Sequence, residues 1–490
     1  MISYKQQVEQ LNKMLADKDV QIAALTEQVQ KLSDNIVILT QTITELSEKL
    51  NKNSHNSSKP PSSDGLKKVN KKRSLRQSSG KSQGGQKGHT GTTLFAKEPD
   101  KVERYLPDNC KSCSNYKYCL AAAKVEETRY VVDVIVKTNV TAHKAVSVIC
   151  PMQTDCICKG EFPENIKAHV QYGDDLQCLI TSLSTVGAVS MNRIKEILSG
   201  IFDIPLSTGT INSVVNRVAS RVINANEKSR QNLLSCKVSH FDETGTRVDG
   251  HTEWVHVASN SEYTYLSLNA KRGFLGMESA CVLPSFNGIA VHDCWTPYWK
   301  YDSLTHAVCN AHLLRELNGA EENHKEQKWA KEFKSLLLYM KKVRDKAVAK
   351  GKTALSYYHL HKIDTKYDAV LKTAYEENPL PDDAVKKRGR KKKGKVRALI
   401  ERLEKYKDSI CLFIKDFDVP FDNNQAERDL RMIKVKTKVS GCFRTKEGAK
   451  SFLEIMSYVG TAKKHGLNAY TALRNAMNGN SDCIFEYQGC

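Results

Sequence analysis

Apolar residues in the first fifty positions fall on a seven-residue beat. Val8, Leu15, Ile22, Val29, Ile36, Ile43 and Leu50 hold one core position; Leu11, Leu25, Leu32, Leu39 and Leu46 hold the other, and Lys18 breaks the seam. This beat with polar flanks predicts a coiled coil over residues 1–50, and β-branched residues at the first position with Leu at the second favour a parallel dimer. A helix packed on a later part of the same chain would carry the same seam. The beat stops at Asn51. From there to about residue 100 the chain is Ser, Gly, Asn and Lys, and residues 51–90 hold ten Lys or Arg against the single acid Asp64. That composition predicts a disordered basic linker, solvated alone and able to clamp phosphates.

Beyond the linker, extended and helical periods alternate. A strand-like run from Val125 to Cys150 lies inside a Cys-rich segment spanning 101–165. Residues 166–232 read as helices, with Ser207 and Thr208 forming the cap of one that follows a short turn. The pair fits a helix-turn-helix whose second helix enters a major groove, and equally a plain packing unit. At residue 236 the period becomes extended. CKVSHFDETGTRVDG, TEWVHVASNS and YTYLSLNA predict three antiparallel strands, with Asp242 near the end of the first. A helical segment from Gly276 to Leu283 follows, then the short apolar strand GIAVHDCW containing Asp293, within a unit spanning 233–320. Residues 321–418 are amphipathic and helical, and 419–490 return to helix through Phe421–Gly441. There Ala426, Leu430 and Ile433 mark a packing side, while Glu427, Arg431, Lys434 and Lys438 share another. Asn424 three residues before Glu427 also fits a capping box, so Glu427 has a structural reading beside a catalytic one.

Charge sharpens this picture. The 490 residues carry 75 Lys and Arg against 55 Asp and Glu, a formal charge of +20 that favours nucleic acid as partner. The absence of a long apolar run or signal core predicts a cytoplasmic chain, neither secreted nor membrane-spanning. Six of the 15 cysteines lie between Cys110 and Cys158. Without an export signal they suggest metal rather than disulfides. Two Cys, a hairpin and two more Cys resemble a zinc ribbon, with Cys110, Cys113, Cys150 and Cys156 as ligands of a structural Zn²⁺ and Cys119 or Cys158 as competitors.

Three carboxylates carry the candidate chemistry. Strand ends supply Asp242 and Asp293, and a nearby helix end supplies Glu427. Hard oxygen donors suit two Mg²⁺ or Mn²⁺ ions, which stabilise both attacking and leaving oxygens in phosphodiester cleavage. Arg428, Arg431, Lys434, Lys436 and Lys438 would hold the DNA backbone, as would Arg388, Arg390 and Lys391 in the run KKRGRKKKGK. Trp295 would stack on a flipped base or sit in the core.

The motifs HFDETG, AVHDCWTPYW, CNAHLLREL and FDNNQAERDLR, in that order, resemble the IS66 family of insertion-sequence transposases. GGQKGHTG, the Cys-rich segment and SYVGTAKKHGLNAYTAL extend the resemblance over nearly the whole chain. It implies an α/β, RNase H-like (retroviral-integrase-like) mixed-sheet core with an α-helical insertion, preceded by the coiled coil and the zinc-ribbon-like module. It also implies a DDE triad of Asp242, Asp293 and Glu427, with Glu243 and Asp422 in capping or solvated roles beside it. Cys309 and His312 resemble a C/D-x-x-H signature that organises the site or contacts DNA. The implied activity is cleavage at element ends followed by 3′-hydroxyl attack on target DNA. Double-stranded DNA, a second copy of the chain and accessory proteins encoded by the element are the implied partners. A non-catalytic DNA-binding protein and a nuclease that cuts without joining are the alternatives.

Overall fold

The computed structural model describes residues 4–57, 99–110, 112–134, 136–149, 157–380 and 394–486. The chain divides into two compact units: Lys71–Pro163 with Ile197–Pro205 make the smaller, and Met1–Asn70, Glu164–Glu196 and Leu206–Cys490 the larger.

The larger unit begins with α1 (Tyr4–Leu50), one helix of 47 residues. Its heptad seam is open to solvent in the single chain; Leu25 and Ile36 are about 60% exposed. The residues after it depart from the expected linker. Asn51–Ser57 fold into a compact turn in which Ser54 and Asn56 are buried, because Asn56 Nδ2 donates to Glu322 Oε2 at 2.6 Å and to Asn51 O at 2.9 Å.

In the smaller unit, helix α2 (Tyr116–Ala122) precedes the antiparallel pair β1 (Ser147–Ile149) and β2 (Ile157–Lys159). Of the strand-like run expected from Val125 to Cys150, the described residues form a strand only at Ser147–Ile149. Val131, Val134 and Val140 are exposed, and β-branched residues favour a strand only where a neighbour covers them.

Three helices follow: α3 (Asp174–Ser184), α4 (Met191–Phe202) and α5 (Thr208–Ser235). Ser207 caps α5, its Oγ accepting the Thr210 N–H at 3.0 Å. The helix pair expected here is present, and one face of its second helix is committed to packing. The 28-residue α5 buries Ile211, Val214, Val218, Val222 and Leu233, and Asn226 donates to Glu454 O at 2.8 Å, so this helix packs within the unit.

A five-stranded mixed sheet forms the centre. Strands β3 (Val238–Val248), β4 (His251–Ser259) and β5 (Thr264–Asn269) are an antiparallel meander; β6 (Ile289–His292) lies parallel to β3, and β7 (Thr305–Val308) parallel to β6. The resulting order is β5-β4-β3-β6-β7. Asp249 and Gly250, both at positive φ (48° and 72°), make the tight β3–β4 turn that Asp-Gly favours. Between β5 and β6 lies the short α6 (Phe274–Ser279). A side chain on Gly276 would meet Lys271 O at 2.0 Å, so glycine is required where α6 presses on the preceding loop.

After β7 come α7 (Asn310–Asn323), α8 (Trp329–Val348), α9 (Tyr357–Glu377), α10 (Lys395–Lys405) and α11 (Lys407–Lys415), with Trp329, Phe333, Tyr367, Ile400 and Phe413 in their shared core. Helices α12 (Asn424–Asp429), α13 (Arg431–Ser440) and α14 (Lys446–Lys464) then return to the sheet; α15 (Ala469–Met477) and α16 (Cys483–Glu486) close the described chain. Ala426, Leu430, Ile433, Phe452 and Leu453 cover one sheet face by packing on Val248, Val255, Val257 and Leu266. Phe241, Ala258, Met277, Phe286 and Tyr298 fill the other. Among the described residues, no helix is long and apolar enough to cross a membrane.

Candidate active site

Parallel register brings the two aspartates level. His240 pairs with Val291 across β3 and β6, so two residues further along Asp242 stands beside Asp293, on strands about 4.8 Å apart. Asp242 is therefore a mid-strand residue, not the strand-end residue expected. It lies where β6 ends and leaves a gap at the sheet edge. Parallel strands commonly build ligand sites at such an edge. Val308 pairs with His292, which brings Cys309 to the same edge one residue later. Side chains alternate along β3: Phe241 enters the core on one face, while Thr246 meets Thr437 of α13 on the other. Asp242 shares the Thr246 face, where α12 carries Glu427.

Each carboxylate is held. Asp242 Oδ1 accepts the Glu243 N–H at 2.9 Å, and Asp293 Oδ1 accepts the Trp295 N–H at 3.0 Å. Just after Asp293, Cys294 takes φ of 68°, a left-handed conformation that turns the chain sharply away from the strand. Burial first, then the charges of Glu243, Asp293 and Glu427, push the Asp242 carboxyl well above the ordinary range. Burial, then Glu243, raises Asp293 to about 6. Among the described residues neither aspartate has a cationic side chain within ion-pair distance. Carboxylate oxygens are hard donors of the kind that hold divalent cations; among the described residues, however, the group of three whose ligand atoms lie within 4.8 Å of one another is Cys309, His312 and Glu427, which includes neither aspartate. Glu427 differs: Arg315 Nη2 lies 3.4 Å from its Oε1, and His312 Nε2 lies 3.8 Å from the same atom.

The start of α12 departs from the capping-box reading. Asn423, not Asn424, is the N-cap, and its side chain makes no capping bond. The Asn423 side chain is used elsewhere: Nδ2 donates to Phe241 O at 2.8 Å, and Oδ1 accepts from His240 Nδ1 at 2.8 Å. Its backbone N–H points at Cys309 Sγ, 3.1 Å away. This fully buried residue thus ties the strand of Asp242, the turn after β7 and the helix of Glu427 together. Sequence reasoning read it only as part of a helix start. The doubled Asn beside the candidate acid was the available signal.

Glu243 was expected on a solvated surface or in a cap and is neither. It is buried, its Oε1 accepting from Arg272 Nε at 3.0 Å and Nη2 at 2.8 Å, and its Oε2 from Tyr298 Oη at 2.7 Å. Arg272 also lies 4.0 Å from the centroid of Trp295 and 5.0 Å from that of Trp254. One face of Trp295 is therefore covered by a guanidinium, which alters the expected base-stacking role. Asp422 Oδ1 accepts the Asn424 N–H at 3.1 Å, a local turn contact. Behind Asp293, His292 is buried, donating from Nε2 to His306 Nδ1 at 3.0 Å and stacking on Tyr298 at 4.5 Å.

The expected basic row is split. Arg428, Arg431, Lys434 and Lys438 are exposed along α12 and α13. Lys436 is not: it is buried, donating to Ser184 O and Val189 O, each at 3.1 Å. One residue of that row thus faces inward and is removed from any contact with a polyanion. Arg388, Arg390, Lys391, Cys150 and Cys156 lie outside the described residues. Cys110 and Cys113, of the smaller unit, are free thiols separated by a turn in which Cys113 N–H donates to Cys110 O at 3.1 Å.

A family model described as Transposase IS66 family matches residues 169–451, and a second, described as a family of unknown function (DUF6444), matches residues 2–94. No curated protein matches the chain.

Proposed function

Because the chain belongs to the IS66 family of transposases, we propose that it is a DDE transposase that cleaves the ends of its element and joins the freed 3′-hydroxyl to target DNA. The observation that carries this reading is the level pairing of Asp242 and Asp293 on parallel strands, with the charge of Glu427 felt at Asp242. A meander followed by two parallel strands, in the order β5-β4-β3-β6-β7, supports an RNase H-like core.

Asp242, Asp293 and Glu427 would hold the divalent cations. When bound, these supply charge neutralisation at the attacking and leaving oxygens of the phosphodiester. The chain's own groups do the rest. Asn423 keeps α12 against β3, so Glu427 cannot drift from the aspartates. Arg315 orients the Glu427 carboxylate, and exposed Arg428, Arg431, Lys434 and Lys438 hold backbone phosphates by charge. The solvent-open seam of α1 is the surface through which two copies would pair.

The test is strand transfer on end-bearing DNA with Mg²⁺ or Mn²⁺. Asp242→Asn, Asp293→Asn and Glu427→Gln should each lose cleavage and joining while keeping DNA affinity. A variant that retains wild-type rates takes its residue out of the site. Cleavage without joining by the wild type would make the protein a nuclease instead.

A further inference from the structure

Cys309, His312 and Glu427 present one ligand atom each, and the three atoms lie within 4.8 Å of one another. Two of the ligands share the start of α7, where Cys309 is the N-cap and its carbonyl accepts the His312 N–H at 3.1 Å. The third comes from the first turn of α12, fastened alongside by the Asn310 N–H to Phe421 O bond of 3.0 Å. All three are therefore set by backbone, not by flexible loops.

His312 is the telling member. Among the described residues its buried Nδ1 has no hydrogen-bond partner, and its Nε2 is 3.8 Å from Glu427 Oε1, too far for a good hydrogen bond. The ring is only partly buried, but a buried nitrogen left without a hydrogen bond is costly unless something else takes its lone pair. Around a tetrahedral Zn²⁺, bonds of about 2.0–2.3 Å put donor atoms about 3.3–3.7 Å apart, so a closure of about an ångström completes the set.

We propose that Cys309, His312 and Glu427 form a second cation site, distinct in chemistry from the all-carboxylate one, which takes Zn²⁺ and thereby inhibits the Mg²⁺-supported reaction. The donors are one sulfur, one nitrogen and one oxygen, a mixture that suits Zn²⁺ and is poor for Mg²⁺. On binding, the Cys309 thiol loses its proton to solvent and sulfur bonds the metal; thiolate and carboxylate together balance the 2+ charge. The Asn423 N–H, already directed at Sγ, stabilises the thiolate as a neighbouring donor does in other metal sites. Inhibition follows because Glu427 cannot serve both sites. That consequence rests on the catalytic reading of Glu427, whereas Zn²⁺ binding itself does not.

The experiment uses the full chain, stripped with chelator, reloaded with Zn²⁺ and freed of excess by gel filtration. Wild type should hold one more zinc per chain than Cys309→Ala and than His312→Ala, whatever the cysteines of the smaller unit take up. With Co²⁺ as probe, the thiolate-to-metal absorption should fall in Cys309→Ala and persist in Asp242→Asn. Cys309→Ser serves if the alanine variant fails to fold. Equal zinc content in all variants overturns the site. For the inhibition, the ratio of Mg²⁺-supported nicking without and with stoichiometric Zn²⁺ should exceed tenfold in wild type, and a ratio near one overturns it. Nicking retained by Asp242→Asn would instead defeat the catalytic reading while leaving the zinc count intact.

Discussion

Replacing Asp293 with Asn should make the cation-free protein more stable while abolishing its chemistry. Burial and the Glu243 charge raise the Asp293 carboxyl from 3.8 to about 6, so ionising it in the folded state is harder than in the unfolded chain. The folded state consequently holds more protons than the unfolded between about pH 4 and 6, and stability falls as pH rises through that window. From 3.8 to about 6 corresponds to roughly 3 kcal/mol at neutral pH. Screening by nearby solvent lowers this to about 1–3 kcal/mol. Asn keeps an oxygen to accept the Trp295 N–H and sheds the charge. In chelator at pH 7.5, Asp293→Asn should then melt about 2–6 °C above wild type, and the gap should close by pH 4. Adding Mn²⁺ should raise the wild-type melting temperature and leave that of the variant nearly unmoved. A variant that melts at or below wild type at pH 7.5, or one stabilised by Mn²⁺ as strongly as wild type, would refute the argument that these carboxylates are crowded for a cation.

Four further outcomes concern Asn423, two lysines of α13 and the seam of α1. Asn423→Ala removes the side-chain bonds to Phe241 and His240 from a fully buried position, and should cost about 2–4 kcal/mol in urea unfolding and lose cleavage; an unaffected midpoint would deny it the role of clasp. Burial alone brings the Lys436 ammonium down to about 8, so stability should rise with pH between about 8 and 10.5, and Lys436→Met should remove that rise in melts across the range. The same substitution should leave the salt dependence of DNA binding alone, whereas Lys434→Ala should reduce its slope by about one. Leu25→Glu with Leu32→Glu should lower the mass in light scattering to that of a single chain, and an unchanged mass would assign α1 another partner.

Much of this protein is legible along the chain because short-range periodicity records it. The heptads of α1, the meander from residue 238 and the packing side Ala426, Leu430 and Ile433 each depend on residues a few positions apart. The three candidate acids were likewise visible as motifs. Their relation to one another was not: it comes from the β3–β6 register, which joins segments about fifty residues apart, and from Asn423, which bonds a strand about 180 residues upstream.

Tertiary structure alone decided which polar side chains face inward. Glu243 and Asp242 are neighbours in sequence, yet alternation sends one to Arg272 and Tyr298 and the other toward α12. Lys436 lies among exposed cations in a basic helix but ends against two carbonyls of distant residues. Among the described residues of the strand-like run from Val125, only Ser147–Ile149 pair, while Val131, Val134 and Val140 stay exposed. Local sequence sets the period of an element and therefore its faces. The partner that covers a face is contributed by residues remote along the chain, and only that partner determines whether a charge is solvated, paired or crowded against another.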